Sequence, residues 1–163
     1  MTYFVGIDPG VSGAVAVVSP THCDVEDIPT IAIEGSGRTV RKIDGLGLAR
    51  LLRRFVPAGE ACIVVLEDVH VMPSNKSGSA ANTSLLHSKG VIEGVLAVLR
   101  METALVNSRK WKGIYGLDAD KKASLEKARA LYPSLAKSHL ARVADHNRAE
   151  GLLLAHYGKV KLA

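Results

Sequence analysis

Cysteine is scarce in this sequence, and no secretory or membrane-spanning segment is visible. Cys23 and Cys62 lie far apart and neither belongs to a C-x-x-C pair, which favours two reduced thiols over a disulfide. No apolar run approaches the roughly 20 residues that a membrane-spanning helix needs. The amino-terminal residues lack the basic stretch and the small-residue cleavage site of a secretory signal. Together these absences predict a cytoplasmic protein without a membrane partner.

Internal repeats and low-complexity tracts are also absent. The 163 residues are 47% hydrophobic and 23% charged, which predicts one globular domain over residues 1–163, large enough to bury a core. The lack of a repeat argues against the sugar-kinase and actin-like ATPases. Those proteins also begin with a strand, an aspartate and glycines, but they need two duplicated subdomains around a nucleotide.

Positive charge is concentrated in one part of the chain. The net charge is +5, and the segment Arg109–Arg142 carries +6 because nine Lys and Arg stand against three acids. A concentrated basic surface suits a polyanion such as DNA, because each neutralised phosphate releases condensed counterions. A solubilising helix face explains the same charge equally well. Charge alone does not separate the two interpretations.

The amino-terminal half predicts three strands followed by a helix. Valine and isoleucine fill the first two apolar runs, and Pro29 interrupts the third, which suits an edge strand. A polar, glycine-bearing loop is expected next, before apolar residues recur at helical spacing. The predicted strands are Tyr3–Ile7, Gly13–Val18 and Asp24–Ile33, the loop is Gly35–Arg41, and the helix is Leu46–Phe55.

The carboxyl-terminal half predicts two more strands among helices. The order of strands and helices implies an α/β fold with a mixed sheet flanked by helices. The predicted strands are Cys62–Leu66 and Glu102–Val106, the loop is Pro73–Thr83, and the helices are Ser84–Leu99, Ser108–Ile114, Asp120–Tyr132 and His146–Tyr157.

Three acidic residues stand where an acid is unfavourable for folding. Asp8 and Glu67 each end an apolar strand, and Glu150 precedes the apolar run Leu152–Ala155. Buried carboxylates must be paired, solvated or bound to metal, and hard oxygen donors suit Mg²⁺ or Mn²⁺. Each acid also has a plain structural interpretation. Asp8 can be a turn former, Glu67 the partner of an arginine, and Glu150 a solvated helix residue.

A histidine precedes the last of these acids by one helical turn. His146 and Glu150 are four residues apart and therefore share a helix face. Its imidazole can serve as a fourth ligand or activate a water nucleophile. Asp145, next to it, is predicted to be the N-cap of the last helix, which favours His146 over Asp145 as the site residue.

Several motifs occur in a fixed order along nearly the whole chain. They are V-G-I-D-P-G at Val5–Gly10, V-L-E-D-V-H at Val65–His70, Lys89-Gly90 within a helix, Trp111-Lys112, Lys121-Lys122, and the run His146–Ala155. The ordered set resembles the RuvC-type Holliday junction resolvases, including their phage members. The opening motif alone is only moderately specific, and the specificity comes from the order.

The resemblance implies an RNase H-like fold with a five-stranded mixed β-sheet flanked by α-helices, and a homodimer. The implied reaction is hydrolysis of one phosphodiester in each of two strands of a four-way DNA junction. Two Mg²⁺ ions per active site are implied, with Mn²⁺ expected to substitute. Nucleases for flaps or replication forks, and a non-catalytic junction-binding protein, are the alternative functions.

The resemblance also assigns residues. Asp8, Glu67 and Glu150 match the acidic ligands of the family, and His146 falls near its remaining acidic position. The spacing of four residues before Glu150 departs from the three seen in cellular bacterial members. This departure favours a phage-type enzyme, acting in the cytoplasm of a bacterium or a phage-infected host.

The expected DNA contacts follow from the basic segment. Lys110, Lys112, Lys121 and Lys122 are the candidates for gripping phosphates of the junction arms. The loop Pro73–Thr83 is expected to approach the junction centre. Helix Ser84–Leu99 is the expected dimer interface, although its apolar stripe can equally cover the sheet.

Overall fold

The architecture is a mixed sheet with helices on both faces and a separate hairpin. The computed structural model describes residues 1–35, 37–69, 79–118 and 120–163. Its strands are β1 (Thr2–Asp8), β2 (Ala14–Val18), β3 (Cys23–Asp27), β4 (Thr30–Gly35), β5 (Arg38–Ile43), β6 (Ala61–Glu67) and β7 (Glu102–Val106). Its helices are α1 (Gly45–Phe55), α2 (Ser79–Val98), α3 (Ser108–Ile114), α4 (Lys121–Leu131), α5 (Pro133–Ala136) and α6 (His146–Lys161), with a 3-10 turn at Val143–Asp145.

The main sheet has the strand order β3-β2-β1-β6-β7. β1 pairs antiparallel with β2 and parallel with β6, and β6 pairs parallel with β7. The register sets Ile7 opposite Leu66, so Asp8 and Glu67 follow directly at one edge of the sheet. The predicted five-stranded mixed sheet flanked by helices is confirmed.

Two hydrophobic cores lie on opposite faces of this sheet, because successive strand residues point to opposite sides. Val5 and Ile7 belong to the core covered by α1 and α2. Ala14 and Ala16 belong to the core covered by α4 and α6, in which residues Leu152–Ala155 are completely buried. Among the described residues no helix is long and apolar enough to cross a membrane.

Helix α6 runs unusually close to β1. A Cβ added at Gly6 would lie 2.1 Å from the carbonyl oxygen of Gly151 and 2.3 Å from the amide nitrogen of Ala155. Only glycine permits this approach. The contact fixes the position of α6 against β1. It therefore also fixes where the side chains of α6 lie relative to the carboxyl ends of β1 and β6.

The region between β3 and α1 corrects two predictions. Asp24–Ile33 is not one strand, because the chain leaves the main sheet at Ile28 and Pro29 and starts a new strand at Thr30. The predicted loop Gly35–Arg41 contains most of β5, which pairs with β4 in a two-stranded hairpin. Ile31 and Ile33 alternate along β4, but β5 is mostly polar or charged, which is why its residues were predicted as a loop.

Two helix boundaries also differ from the prediction. Helix α2 begins at Ser79, so the last five residues of the predicted loop Pro73–Thr83 are helical, and the rest of that loop lies outside the described residues. Helix α6 continues past Gly158 to Lys161. Gly158 does not end the helix because it serves packing: a Cβ there would lie 2.9 Å from a methyl of Val65.

Replacing Gly6 with alanine should destabilise the protein. The added Cβ would meet backbone atoms of α6 that have no freedom to rotate away, and overpacking of this kind costs about 1–3 kcal/mol. The free energy of unfolding in urea, measured without metal, should fall by at least that amount. Gly113→Ala in α3 is the control, because nothing lies within 4 Å of its added Cβ. Equal effects of the two substitutions would contradict the importance of this contact.

Candidate metal centre

Three acidic side chains meet at one edge of the main sheet. Asp8 and Glu67 end the parallel neighbours β1 and β6, and Glu150 comes from the second turn of α6, which crosses beneath them. One carboxylate oxygen of each residue lies within 4.8 Å of one from each of the other two. Within the described parts of the chain, this is the one group of three or more such side chains close enough to share a metal ion.

Contacts from the first turn of α6 hold Glu150 in place. The side-chain amide of Asn147 donates a hydrogen bond to the carbonyl oxygen of Ser12, in the turn between β1 and β2. The guanidinium of Arg148 forms a bidentate ion pair with Asp27 at 2.6 and 2.8 Å. The sequence had placed both residues only within the His146–Ala155 motif, and the structure shows that they tether the helix to the site edge.

Burial and the charges of neighbouring acids make Asp8 and Glu67 reluctant to ionise. Burial raises the pKa of Asp8 well above its usual range, and the charges of Glu67 and Glu150 raise it further. Burial, and then the charge of Glu150, raises the pKa of Glu67 to about 7. Acidic residues with perturbed pKa values are typical of functional sites. A divalent cation would remove the repulsion and would use the carboxylates as ligands.

One lysine partly compensates this charge. The ammonium of Lys112 lies 2.9 Å from a carboxylate oxygen of Glu150, and both side chains are largely buried. The hydroxyl of Ser124 donates a hydrogen bond of 3.3 Å to the same oxygen. If all three carboxylates were ionised, as a bound cation would require, the paired ammonium would leave a local charge of about −2, which suits a divalent cation.

Two of the four predicted DNA-binding lysines lie close to this acidic group, and the other two are exposed on the same helices. Lys112 and Lys121 are close enough to lower the pKa of Asp8. Lys121 and Lys122 are exposed in the first turn of α4, where the carboxylate of Asp120 accepts a hydrogen bond from the backbone N–H of Lys122. Lys110 is exposed on α3. The basic segment therefore borders the acidic group on the α3 and α4 side.

His146 is not a member of the acidic cluster. Its Nε2 lies 3.2 Å from the ammonium of Lys121, and its Nδ1 lies 3.3 Å from the carbonyl oxygen of Val143. These partners place the imidazole proton on Nδ1 and leave the Nε2 lone pair facing the ammonium. The structure brings together Asp8, Glu67 and Glu150 and leaves His146 beside them, bound to a lysine.

Asp145 occupies the N-cap position of α6, as predicted, but its carboxylate does not accept the expected hydrogen bonds from the helix. Its side chain turns back to Arg142 instead. The carboxylate accepts hydrogen bonds from the backbone N–H and the guanidinium of Arg142, each at 2.8 Å. Burial opposes ionisation, but these hydrogen bonds hold its pKa below the usual range. The residue is a structural anchor of the 3-10 turn because arginine outcompetes the helix amides for it.

Trp111 is a neighbour of the site whose role the sequence did not reveal. Its ring is fully buried in the core beneath α6, and the ammonium of Lys112 lies 5.2 Å from the ring centre. The indole N–H faces Glu67 closely enough to lower the pKa of that carboxyl. The N–H nevertheless has no acceptor at hydrogen-bonding distance and angle among the described residues. In the sequence, the only indication of a role for Trp111 was that it is the sole tryptophan and directly precedes Lys112.

Comparison with known proteins identifies the fold. No protein-family model and no curated protein matches the sequence. The solved structure of a Thermus thermophilus RuvC in complex with Holliday junction substrate matches with a TM-score of 0.58 and 15% identity, over 99% of this chain and 97% of that one. A second Thermus thermophilus RuvC structure matches with a TM-score of 0.53 and 16% identity, over 96% and 95%.

These matches define the chain first as a protein with an RNase H-like fold. More narrowly, its arrangement is that of RuvC, because nearly the full length of both chains is aligned. The resemblance predicted from the ordered motifs is therefore confirmed at the level of the fold.

The raised pKa of Glu67 predicts a pH dependence of stability in the absence of metal. The unfolded chain releases this proton near the ordinary value of 4.5, whereas the folded protein keeps it to about 7. The free energy of unfolding should therefore fall as pH rises from about 4.5 to 7, by up to about 3 kcal/mol from this group.

The measurement compares wild type with Glu67→Gln by urea unfolding in EDTA between pH 4.5 and 7.5. The neutral amide has no proton to lose, so the stability of wild type relative to the variant should decline with pH. Parallel curves over this range would show that Glu67 ionises freely in the folded protein.

Proposed function

We propose that this protein is a divalent-metal-dependent endonuclease for branched DNA, with four-way junctions as its main substrate. The observation that carries the proposal is the meeting of Asp8, Glu67 and Glu150 within 4.8 Å at the edge of an RNase H-like sheet. The solved structure of similar fold was determined with a Holliday junction substrate. The activity of a junction-resolving nuclease accounts for the acidic group, the lysines beside it and the fold.

The residues present fit hard cations. Carboxylate oxygens are the ligands of Mg²⁺ and Mn²⁺, and the cluster offers three carboxylates with one ammonium as partial compensation. We assign Asp8, Glu67 and Glu150 as ligands of two Mg²⁺ ions, with Mn²⁺ as a substitute. When bound, such ions stabilise charge on the attacking and leaving oxygens of phosphodiester hydrolysis.

The chain's own residues supply orientation and proton transfer. Lys112 pairs with Glu150, and its ammonium would be available to a phosphate at the site if Glu150 bound a cation instead. We assign His146 as the proton acceptor. The lone pair on its Nε2 would be free to accept a proton once the ammonium of Lys121 contacted DNA instead. Lys110 and Lys122 would hold the backbone farther along the arm.

We further propose a two-fold symmetric homodimer through α2, since a junction offers two equivalent scissile strands. The outer face of α2 supports this assignment: Val98 is 83% exposed and Leu86 is 51% exposed. A shallow apolar groove between α1 and α2 runs past Gly90 and Gly94. Small residues there allow a second helix to approach closely.

We propose that the protein acts in the cytoplasm of a bacterium or of a phage-infected host.

Asp8→Asn should abolish cleavage while leaving DNA binding largely intact. Loss of a ligand removes several kcal/mol of transition-state stabilisation, so the cleavage rate of a four-way junction in Mg²⁺ should fall a thousandfold or more. The control is Glu102→Gln, an exposed acid at the opposite edge of the sheet, which should leave the rate unchanged.

The same assay on flaps, forks and linear duplex tests the substrate. Faster cutting of flaps or forks than of junctions would replace the proposed substrate with the alternative one. Tight junction binding without cleavage in Mg²⁺ or Mn²⁺ would identify a non-catalytic binding protein.

Charge reversal at the start of α4 should weaken DNA binding and reduce its salt dependence. Each phosphate contact contributes about −0.9 to the slope of log K against log salt concentration, so Lys121→Glu with Lys122→Glu should reduce the slope by about 2. Lys159→Glu with Lys161→Glu is the matched control, because these exposed lysines lie on α6 roughly 15 Å beyond Glu150. An unchanged slope in the first variant would remove α4 from the interface.

A further inference from the structure

The indole N–H of Trp111 is a buried donor without a partner. The side chain is fully buried, and its Nε1 is the one completely buried side-chain nitrogen or oxygen lacking a hydrogen bond in the described ranges. Folded proteins leave few such groups unsatisfied, and each one calls for an explanation. Nothing in packing alone requires a nitrogen here, because the rest of the ring contacts apolar side chains.

The position of Trp111 relates it to the acidic group. Helix α3 holds its ring beneath the ammonium of Lys112, 5.2 Å from the ring centre, and the same ammonium contacts Glu150 at 2.9 Å. The N–H faces Glu67, the acid on the neighbouring strand end. Glu67 is therefore the acid of the group that can accept a hydrogen bond from this N–H.

We propose that Trp111 is a positioning residue that donates its indole N–H to one oxygen of Glu67 while the other oxygen faces the divalent cation of the site. This inference rests on the proposed function, because it assumes that Glu67 is a ligand.

Tryptophan has the properties that this position needs. Its N–H is a donor only and carries no charge, so it can orient a carboxylate without competing with a cation for it. Its large ring is locked by the core on all sides, so the donor direction is fixed. Partners of this kind orient metal ligands, and their loss typically weakens metal affinity 10- to 100-fold.

The test removes the N–H and keeps the ring. Trp111 is the sole tryptophan, so expression with the benzothiophene analogue of tryptophan replaces the N–H by sulfur at this position alone. Trp111→Phe is the second variant. Mn²⁺ affinity is measured by calorimetry without DNA, and urea unfolding in EDTA confirms that each protein is folded.

The expected result is a 10- to 100-fold loss of Mn²⁺ affinity in the analogue, with metal-free stability close to that of wild type. In wild type, the indole hydrogen-bond marker band in the ultraviolet resonance Raman spectrum should shift on adding Mg²⁺. Equal Mn²⁺ affinity in the analogue, or an unshifted band at saturating Mg²⁺, would overturn the inference and leave the proposed function intact. Wild type that binds no divalent ion would overturn both.

Discussion

The close contact between β1 and α6 is the constraint on which the rest of the site depends. Gly6 allows the backbone of α6 to lie directly on the central strand, and the buried run Leu152–Ala155 anchors the helix there. The register of β1 with β6 independently places Asp8 beside Glu67. With both constraints fixed by the core, Glu150 has no freedom to move away from the other two acids. Hydrophobic packing on both faces of the sheet therefore holds the carboxylates together against their mutual repulsion.

A site assembled in this way is held together by packing although its carboxylates repel one another. The pKa values of Asp8 and Glu67 are raised, which means that the folded protein disfavours the charged forms that a cation requires. Lys112 reduces the repulsion by pairing with Glu150, whereas Asp8 and Glu67 have no ion pair with a described residue. Stability is sacrificed locally at functional sites in this manner, because the arrangement that binds a ligand is rarely the one of lowest energy without it.

The sequence predicted those features that have a local cause. The strands of the main sheet are apolar runs, and the acids that end them are visible as exceptions within those runs. Strand β5 was missed because most of its residues are polar or charged. Asp145 is the N-cap residue as predicted, but its side chain does not cap the helix because Arg142 competes with the helix amides for its carboxylate. The pairing of Lys112 with Glu150 and the burial of Trp111 arise from tertiary packing between α3 and α6. No spacing along the chain encodes such contacts.

The pairing of His146 with Lys121 bears on how the charge of the proposed site is balanced. With all three carboxylates ionised and Lys112 paired to Glu150, the site would carry about −2, which matches one divalent cation. If two ions act, as proposed, the charge of the second must be balanced from outside the protein, and the scissile phosphate of DNA supplies negative charge at that point. Lys121 then has reason to leave His146, since a phosphate attracts its ammonium more strongly than a neutral imidazole does. Full metal occupancy would therefore be coupled to DNA binding, and the imidazole lone pair would be freed only when substrate is present.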